Sequence, residues 1–356
     1  MTVRWGVIGT GGIAHSFVRD CTAAGIAFVA VGSRTSERAE AFAAEHGIPR
    51  AYGSYEDLVA SDDVDAVYVA TPHSRHAEDA LLAVAAGKHV LVEKAFTITA
   101  DEARRVVDAA RRADVAVMEA MWTRFLPQSA MIRQVIAEGR IGRPRVVEAT
   151  HHQALPSDPT HRLNDPALGG GAILDLGVYP ISFAVDVLGV PTAVTAAGTL
   201  SDQGVDTQMG VVLTHEGGAQ SMLHFGLDLR SPNTASIIGE DGRIDLDATW
   251  YTPTTWRIRD RDGVVVEEFD GREELAGYGH EARAFEAMIS SGMHEGGPMD
   301  PEETVAIMAV MDEARRQVGV RYAADGDGDT AAPSDAPTER GRSVPGSGLE
   351  APPAVP

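Results

Sequence analysis

The chain has 356 residues, 44% of them hydrophobic, and a formal charge of −22. That length allows two domains, each with its own core, and so acidic a surface argues against nucleic acid and anionic membranes as partners. A single cysteine, Cys21, leaves no internal disulfide and fits a reducing cytoplasm; the N-terminus runs straight into a strand-like segment without a signal peptide, and no apolar stretch approaches the about 20 residues that span a bilayer.

Residues 3–8 read as a buried strand, followed by a Gly-rich turn and a helix over 13–24. A second apolar strand covers 27–31 and a helix follows through 37–45. Strands at 65–70, 89–93 and 115–118 alternate with helices at 75–86 and 99–112, the last opened by a Thr99–Glu102 capping box. Short apolar strands alternating with helices predict parallel βαβ units in an open, doubly wound α/β sheet over residues 1–121. The pattern then changes. A helix over 128–138, a strand over 145–149, a polar loop over 155–168 and an apolar helix over 174–188 precede a run of strands and turns from 193 to 269, closed by helices at 280–290 and 301–318. Residues 122–322 therefore read as an α+β domain on a large, open, mainly antiparallel sheet. Residues 323–356 are rich in Gly, Pro, Ala, Ser and Asp, a composition that predicts a disordered tail.

Of the 30 cationic side chains only two are lysines, Lys88 and Lys94, both within seven residues. Arginine stays protonated in proteins, whereas lysine can exchange its proton. Lys88 ends a helix and reads as structural; Lys94, at the end of an apolar strand, is a candidate for proton chemistry. Gly9-Thr10-Gly11-Gly12-Ile13-Ala14 fits G-x-G-x-x-(G/A) directly after a strand, the setting in which glycines and a helix N-terminus cradle a dinucleotide pyrophosphate. The second strand ends in Gly32-Ser33-Arg34-Thr35 with no acid before Glu37. An acid there would bind the ribose of NAD; Ser33 and Arg34 suit a 2′-phosphate, which points to NADP(H) ahead of NAD(H). Thr71-Pro72-His73, His76 and Glu93-Lys94 follow strand ends and are expected to border the nicotinamide. His73 and His76 lack a third ligand, so capping and cofactor contact are expected there and no metal. Gly169-Gly170-Gly171 precedes Asp175 and Tyr179, four residues apart and on one face if the segment is helical.

Together, the Gly9–Ala14 turn, Ala70-Thr71-Pro72, the segment from Ala86 to Lys94, and Gly169–Gly171 with Asp175 and Gly177 resemble the glucose-fructose oxidoreductase/inositol dehydrogenase/MocA family over residues 3–322. Residues 118–125 and Tyr179 are similar to the branch that holds dimeric dihydrodiol dehydrogenase and NADP-dependent D-xylose dehydrogenase. The resemblance implies an N-terminal Rossmann domain, a C-terminal sheet whose outer face makes a homodimer, and catalytic roles for Lys94 and Tyr179 with Asp175 nearby. The family's Glu-Lys-Pro is Glu93-Lys94-Ala95 here. A cis bond before a non-proline costs about 3 kcal/mol, so this bond is expected to be trans or strained. The implied chemistry is hydride transfer between NADP(H) and a secondary or anomeric hydroxyl of a sugar, an aldose such as D-xylose, with the proton passing to Tyr179. Lys94 is expected to lower the phenol's ordinary pKa of about 10; alternatively, Lys94 accepts the proton and Tyr179 only donates a hydrogen bond. Trp122 and Arg124 are expected at the substrate, with Trp250, Trp256 and the Tyr278-Gly279-His280-Glu281 segment as further possibilities. The alternative functions are a dihydrodiol dehydrogenase, a non-catalytic NADP-binding sensor, and a zinc enzyme using His151, His152 and His161.

Overall fold

The computed structural model describes residues 2–326 apart from 159 and 273–276. The first half is built from β1 (Trp5–Ile8), α1 (Gly12–Ala23), β2 (Phe28–Gly32), α2 (Ser36–His46), β3 (Arg50–Tyr52), α3 (Tyr55–Val59), β4 (Ala66–Val69), α4 (His73–Ala85), β5 (His89–Glu93), α5 (Ala100–Ala113) and β6 (Val117–Ala120). All strand pairs are parallel and the order is β3-β2-β1-β4-β5-β6. β1 and β4 are buried at every residue, as apolar strands covered by helices on both faces must be. The chain reverses direction of winding between β1 and β4, so their carboxyl ends open a crevice.

The second half comprises α6 (Pro127–Ala137), β7 (Pro144–His152), α7 (Val178–Leu188), then β8 (Ala193–Leu200), β9 (Asp206–Thr214), β10 (Gln220–Gly226), β11 (Ala235–Gly239), β12 (Gly242–Leu246), β13 (Thr255–Asp260) and β14 (Val265–Asp270), closed by α8 (Tyr278–Ser291) and α9 (Pro301–Val318). Its eight strands run in the order β14-β13-β12-β11-β7-β10-β9-β8, antiparallel except for the β10–β7 pair. The fold is thus α/β with a parallel Rossmann-like sheet and a second, mainly antiparallel one. The two halves share a core. Phe17 of α1 stacks on Tyr68 of β4 with ring centroids 3.7 Å apart. Trp5 donates to Glu286 of α8 at 3.0 Å, and Asp20 of α1 accepts the N–H groups of Gly277 and Tyr278 at the start of α8, at 2.9 and 2.7 Å.

Several expectations need correction. β3 and α3 interrupt what reads as a single connection; β3 has three residues, two of them exposed, and no apolar pattern to betray it. The expected tail begins too early, because Ala323–Asp325 forms a 3₁₀ turn whose Asp325 accepts from buried Arg315 and from the Tyr322 N–H; the remainder of the expected tail lies outside the described residues. One segment, Pro166–Leu188, is long and apolar enough to cross a membrane, contrary to the sequence reading, but 78% of its apolar window is buried inside the protein, where it serves as a core helix. Of the two alternatives left open for the Lys94–Ala95 bond, trans or a strained cis bond, the structure has the cis one.

α7 does not begin as a simple helix. A π turn, Ile173–Gly177, leads into it, with the Val178 N–H donating to the Ile173 carbonyl. The Leu176 carbonyl, four residues before Pro180, lacks its ordinary helical donor, because proline has no N–H. Gly177 lets this turn lie against the sheet: a Cβ there would sit 2.6 Å from the ring of fully buried Phe225 on β10. Gly177→Ala is therefore expected to overpack the core and destabilise the protein by about 1–3 kcal/mol, read as a lower denaturant midpoint. An unchanged midpoint would mean that the Phe225 ring moves aside freely.

Candidate active site

A cleft of about 390 Å³ runs along the crevice from the start of α1 to the π turn. At its first end Gly9 holds φ +101°, and a Cβ there would lie 2.8 Å from the Ala70 carbonyl oxygen, so glycine alone keeps this turn against β4. Gly11 caps α1 without any side-chain hydrogen bond, leaving the first N–H groups of a twelve-residue helix to face the cleft beside Gly12 and Ile13. An anionic pyrophosphate fits this cradle. Thr10 turns to the other side, its hydroxyl 3.4 Å from that of Ser33 at the end of β2. Ser33 is buried; Arg34 is exposed and makes no hydrogen bond or ion pair within the described residues. Among the described residues nothing acidic stands at the end of β2, where Gly32, Ser33, Arg34 and Thr35 follow one another.

Ala70, Thr71, Pro72, His73 and His76 form the middle wall with Glu93 and Lys94. His73 directs its ring nitrogens at the carbonyls of Gly169 (2.9 Å) and Lys94 (3.3 Å), and His76 at those of Ala95 (2.9 Å) and Thr71 (2.8 Å). Burial keeps both rings neutral, pushing His73 down to about 3 and His76 to about 4. These histidines brace the backbone around Lys94. Glu93 is buried, accepts the Tyr68 hydroxyl and the Lys94 N–H, and is pushed up by burial.

At the far end Lys94 meets the π turn. Its ammonium donates to the Asp175 carbonyl at 2.8 Å and lies 3.6 Å from the Asp175 carboxylate, with the two side chains 13% and 9% exposed. Arg162 reaches the same carboxylate at 3.1 Å. Burial alone would raise the Asp175 carboxyl, but Lys94 and Arg162 outweigh it and hold it well below the usual range. The Lys94 Nζ sits 4.9 Å from the centroid of the Tyr179 ring. His151 takes up the Leu176 carbonyl, contacting it through Nδ1 at 3.2 Å, and Gln153 donates to its Nε2 at 3.0 Å. These partners assign the neutral Nδ1–H tautomer, in keeping with a ring that burial, then Lys94, push down to about 3. His151 stacks on Tyr251 at 3.9 Å and meets Tyr179 edge-on at 4.8 Å.

The expectation that Lys94 makes Tyr179 acidic is overturned. The phenol is raised well above its ordinary value, by burial first and by Glu93 and Asp175 next, against a hydrogen bond from Trp122 that lowers it. The ammonium lies at the ring, paired with Asp175, so its charge is largely cancelled as seen from the phenol.

Other expected residues do not reach the cleft. Trp122 stands behind Tyr179, donating to its hydroxyl at 3.1 Å. Arg124 is buried and fully engaged by Ser182, Pro298, Glu303 and Asp186, where it ties α7 to the start of α9. Trp250 donates to the Thr150 carbonyl, Trp256 stacks on Phe269, and the Tyr278 ring packs on Trp122. Nor do the three zinc candidates converge: His152 contacts Ser231 and His224, and His161 accepts the Leu163 N–H. Lys88, as expected, is structural, donating to the carbonyls of Ser61 and Val64. Missed in turn were Gln153, Arg162 and Tyr251, which line the cleft from loops and a strand end; their only sequence signal was a set of polar and aromatic residues near strand ends.

Residues 3–121 match the oxidoreductase family with an NAD-binding Rossmann fold, and residues 129–245 match the GFO/IDH/MocA C-terminal domain. The chain is 36% identical to trans-1,2-dihydrobenzene-1,2-diol dehydrogenase of Danio rerio over 91% of its own length and 99% of the relative's, and 33% identical to the enzyme of the same name from Mus musculus over 91% and 99%. A 3-ketoreductase from Actinomadura kijaniata, solved in complex with NADP and TDP-benzene, superposes with a TM-score of 0.79 at 29% identity, covering 89% of this chain and 98% of that one. An aldose-aldose oxidoreductase from Caulobacter crescentus shares the fold, with a TM-score of 0.80 at 24% identity over 90% and 98%. With both halves matched and its relatives covered end to end, the chain belongs to the GFO/IDH/MocA family of NAD(P)-binding oxidoreductases.

Proposed function

We propose that this chain transfers hydride between NADP(H) and a secondary or anomeric carbon of a sugar, with an aldose such as D-xylose as the substrate class and Tyr179 and Lys94 managing the proton. The observation that carries this reading is the juxtaposition of a nearly buried ammonium with a phenol ring, 4.9 Å apart, at the end of a cleft that starts on an uncapped helix. The nicotinamide, when bound, supplies or accepts the hydride. Tyr179 is held with its hydroxyl oriented by Trp122 and stays protonated at neutral pH, the form that acts as general acid while a substrate carbonyl is reduced. Lys94 stabilises the developing alkoxide, and Asp175 fixes the ammonium on the cleft side of the π turn. Arg34 and Ser33 support NADP(H) over NAD(H), because the end of β2 offers a cation and a hydroxyl and no carboxylate.

A second reading is an aromatic dihydrodiol as substrate. The stacked His151–Tyr251 pair beside Tyr179 forms a flat aromatic wall, and two relatives compared above are named for that activity. Gln153 and Arg162 favour a substrate with several hydroxyls, hence the sugar. The uncovered face of the second sheet carries exposed Val212 and Met222 on paired strands, which supports a homodimer through that face. The chain's one cysteine is buried, in keeping with a cytoplasmic setting.

The test is a screen of aldoses, polyols and dihydrodiols with NADP+ and with NAD+, read at the nicotinamide absorbance. Turnover of an aldose with NADP+ is expected; turnover of dihydrodiols alone selects the second reading, and turnover of nothing leaves a nucleotide-binding sensor. Tyr179→Phe is expected to lower kcat by about 10²–10⁴-fold, and survival within about tenfold would make Lys94 the proton-transfer group. Arg34→Ala is expected to weaken NADPH binding by about 10–100-fold, the worth of a charged hydrogen bond, while leaving NADH binding unchanged; equal binding of NADPH by variant and parent would sink the NADP assignment. In the cofactor-free protein, tyrosinate absorbance of parent and Tyr179→Phe should coincide up to about pH 10, and a phenol titrating earlier in the parent alone would restore the ammonium as its acidifier.

A further inference from the structure

In the Rossmann half, close to the Gly9–Ala14 turn, three potential ligands converge from two helices. His15 lies one turn into α1; Glu45 and His46 end α2, which Gly47 then terminates in the left-handed region. His15 Nδ1 is 2.8 Å from His46 Nε2 and 3.3 Å from Glu45 Oε1, and His46 Nε2 is 3.8 Å from the same oxygen. Among the described residues this is the one group in which three such ligand atoms gather.

With one proton between them the two ring nitrogens form an N–H···N hydrogen bond; in the tautomers that carry their protons on the far nitrogens, both join the carboxylate oxygen in presenting three lone pairs to one point. His46 is mostly buried, its side chain 11% exposed. Both rings are clamped on Phe42, with centroids 4.5 Å from it in each case, so the ligands are preorganised. Metal–ligand bonds of about 2.0–2.2 Å in a tetrahedron put ligand atoms about 3.3 Å apart; the observed separations bracket that edge.

We propose that His15, Glu45 and His46 form a divalent transition-metal site, zinc being the ion that suits two imidazoles and a carboxylate. The fourth position opens on a shallow cleft lined by Thr10, Arg38 and Ala41, and water fills it. The ion clasps α1 to α2 beside the nucleotide turn, and stabilises the native state because the unfolded chain does not hold the three ligands together. This proposal departs from the sequence expectation of no metal and stands independently of the substrate and cofactor readings.

The tag-free full chain, stripped with chelator, is titrated with Zn²⁺ against a chromophoric indicator and with Co²⁺ by visible absorption. One equivalent of Zn²⁺ and a tetrahedral Co²⁺ spectrum are expected, together with a rise in melting temperature on adding Zn²⁺. His15→Ala and His46→Ala should each weaken binding by at least about tenfold, since even outer-shell changes cost that much. Glu45→Gln, at a mostly exposed position, should weaken binding without altering the melting temperature of the metal-free protein, which separates ligand loss from misfolding. No saturable equivalent in the parent, or an equivalent that persists at parent affinity in the His15→Ala/His46→Ala double variant, would overturn the site.

Discussion

One missing hydrogen shapes the end of the cleft where chemistry is proposed. Pro180 sits early in α7 and has no N–H to offer, so the Leu176 carbonyl, four residues before it, has no α-helical donor. A buried carbonyl without a partner costs about 1–3 kcal/mol. His151 meets this carbonyl through Nδ1 at 3.2 Å, and Lys94 donates to the neighbouring Asp175 carbonyl at 2.8 Å. The irregular start of the helix is thus held by two side chains that flank Tyr179. Because Lys94 is the first residue after β5 and His151 lies at the end of β7, the same contacts pin the parallel sheet to the antiparallel one at the point where chemistry is proposed.

That anchoring also explains why the ammonium does not acidify the phenol. A cation lowers a neighbouring pKa only to the extent that its field is uncompensated. Lys94 is compensated by a carboxylate 3.6 Å away, and Arg162 shares that carboxylate. Glu93 and Asp175 both push the phenol up, and burial pushes it further. The lysine is therefore paired and positioned, and the phenol is held in its protonated form. In the proposed reaction such a pair would face an oxygen that gains negative charge as its carbon receives hydride, the pattern of differential stabilisation that speeds a reaction.

Most of the Rossmann half was legible in the sequence because its information is local. Fully buried parallel strands read as short apolar runs, and the Gly9–Ala14 turn, the Thr99 cap and the strand-end position of Lys94 each lie within one element. What escaped was either too short to carry a pattern, as in β3, or depended on distant partners. Arg124 and Trp122 look like ligand-binding residues in isolation, and only the arrival of Ser182, Glu303 and Tyr179 from elsewhere in the chain turns them into struts. Gln153 and Tyr251 are 98 residues apart and meet only in the fold. Asp175 and Tyr179 stood out by spacing, but the irregularity that gives them meaning was written one residue later, in Pro180.

The lining of the cleft divides by chemistry in a way that bears on the substrate. The wall near α1 is backbone and glycine, suited to phosphate; the opposite wall is Tyr179, His151 and Tyr251, three rings in mutual contact. Rings stack on the apolar face of a cyclic substrate, aromatic or sugar alike. What separates the two is the rim, where Gln153 and half-exposed Arg162 present donors to the cleft. A dihydrodiol carries two hydroxyls on one edge and leaves a donor on the far rim facing carbon; an aldose carries hydroxyls around its circumference and meets both. Because Arg162 is already bonded to Asp175, a sugar hydroxyl that accepts from it would also reach the charge pair that positions Lys94, coupling recognition of the ring to the geometry of the proton-handling groups.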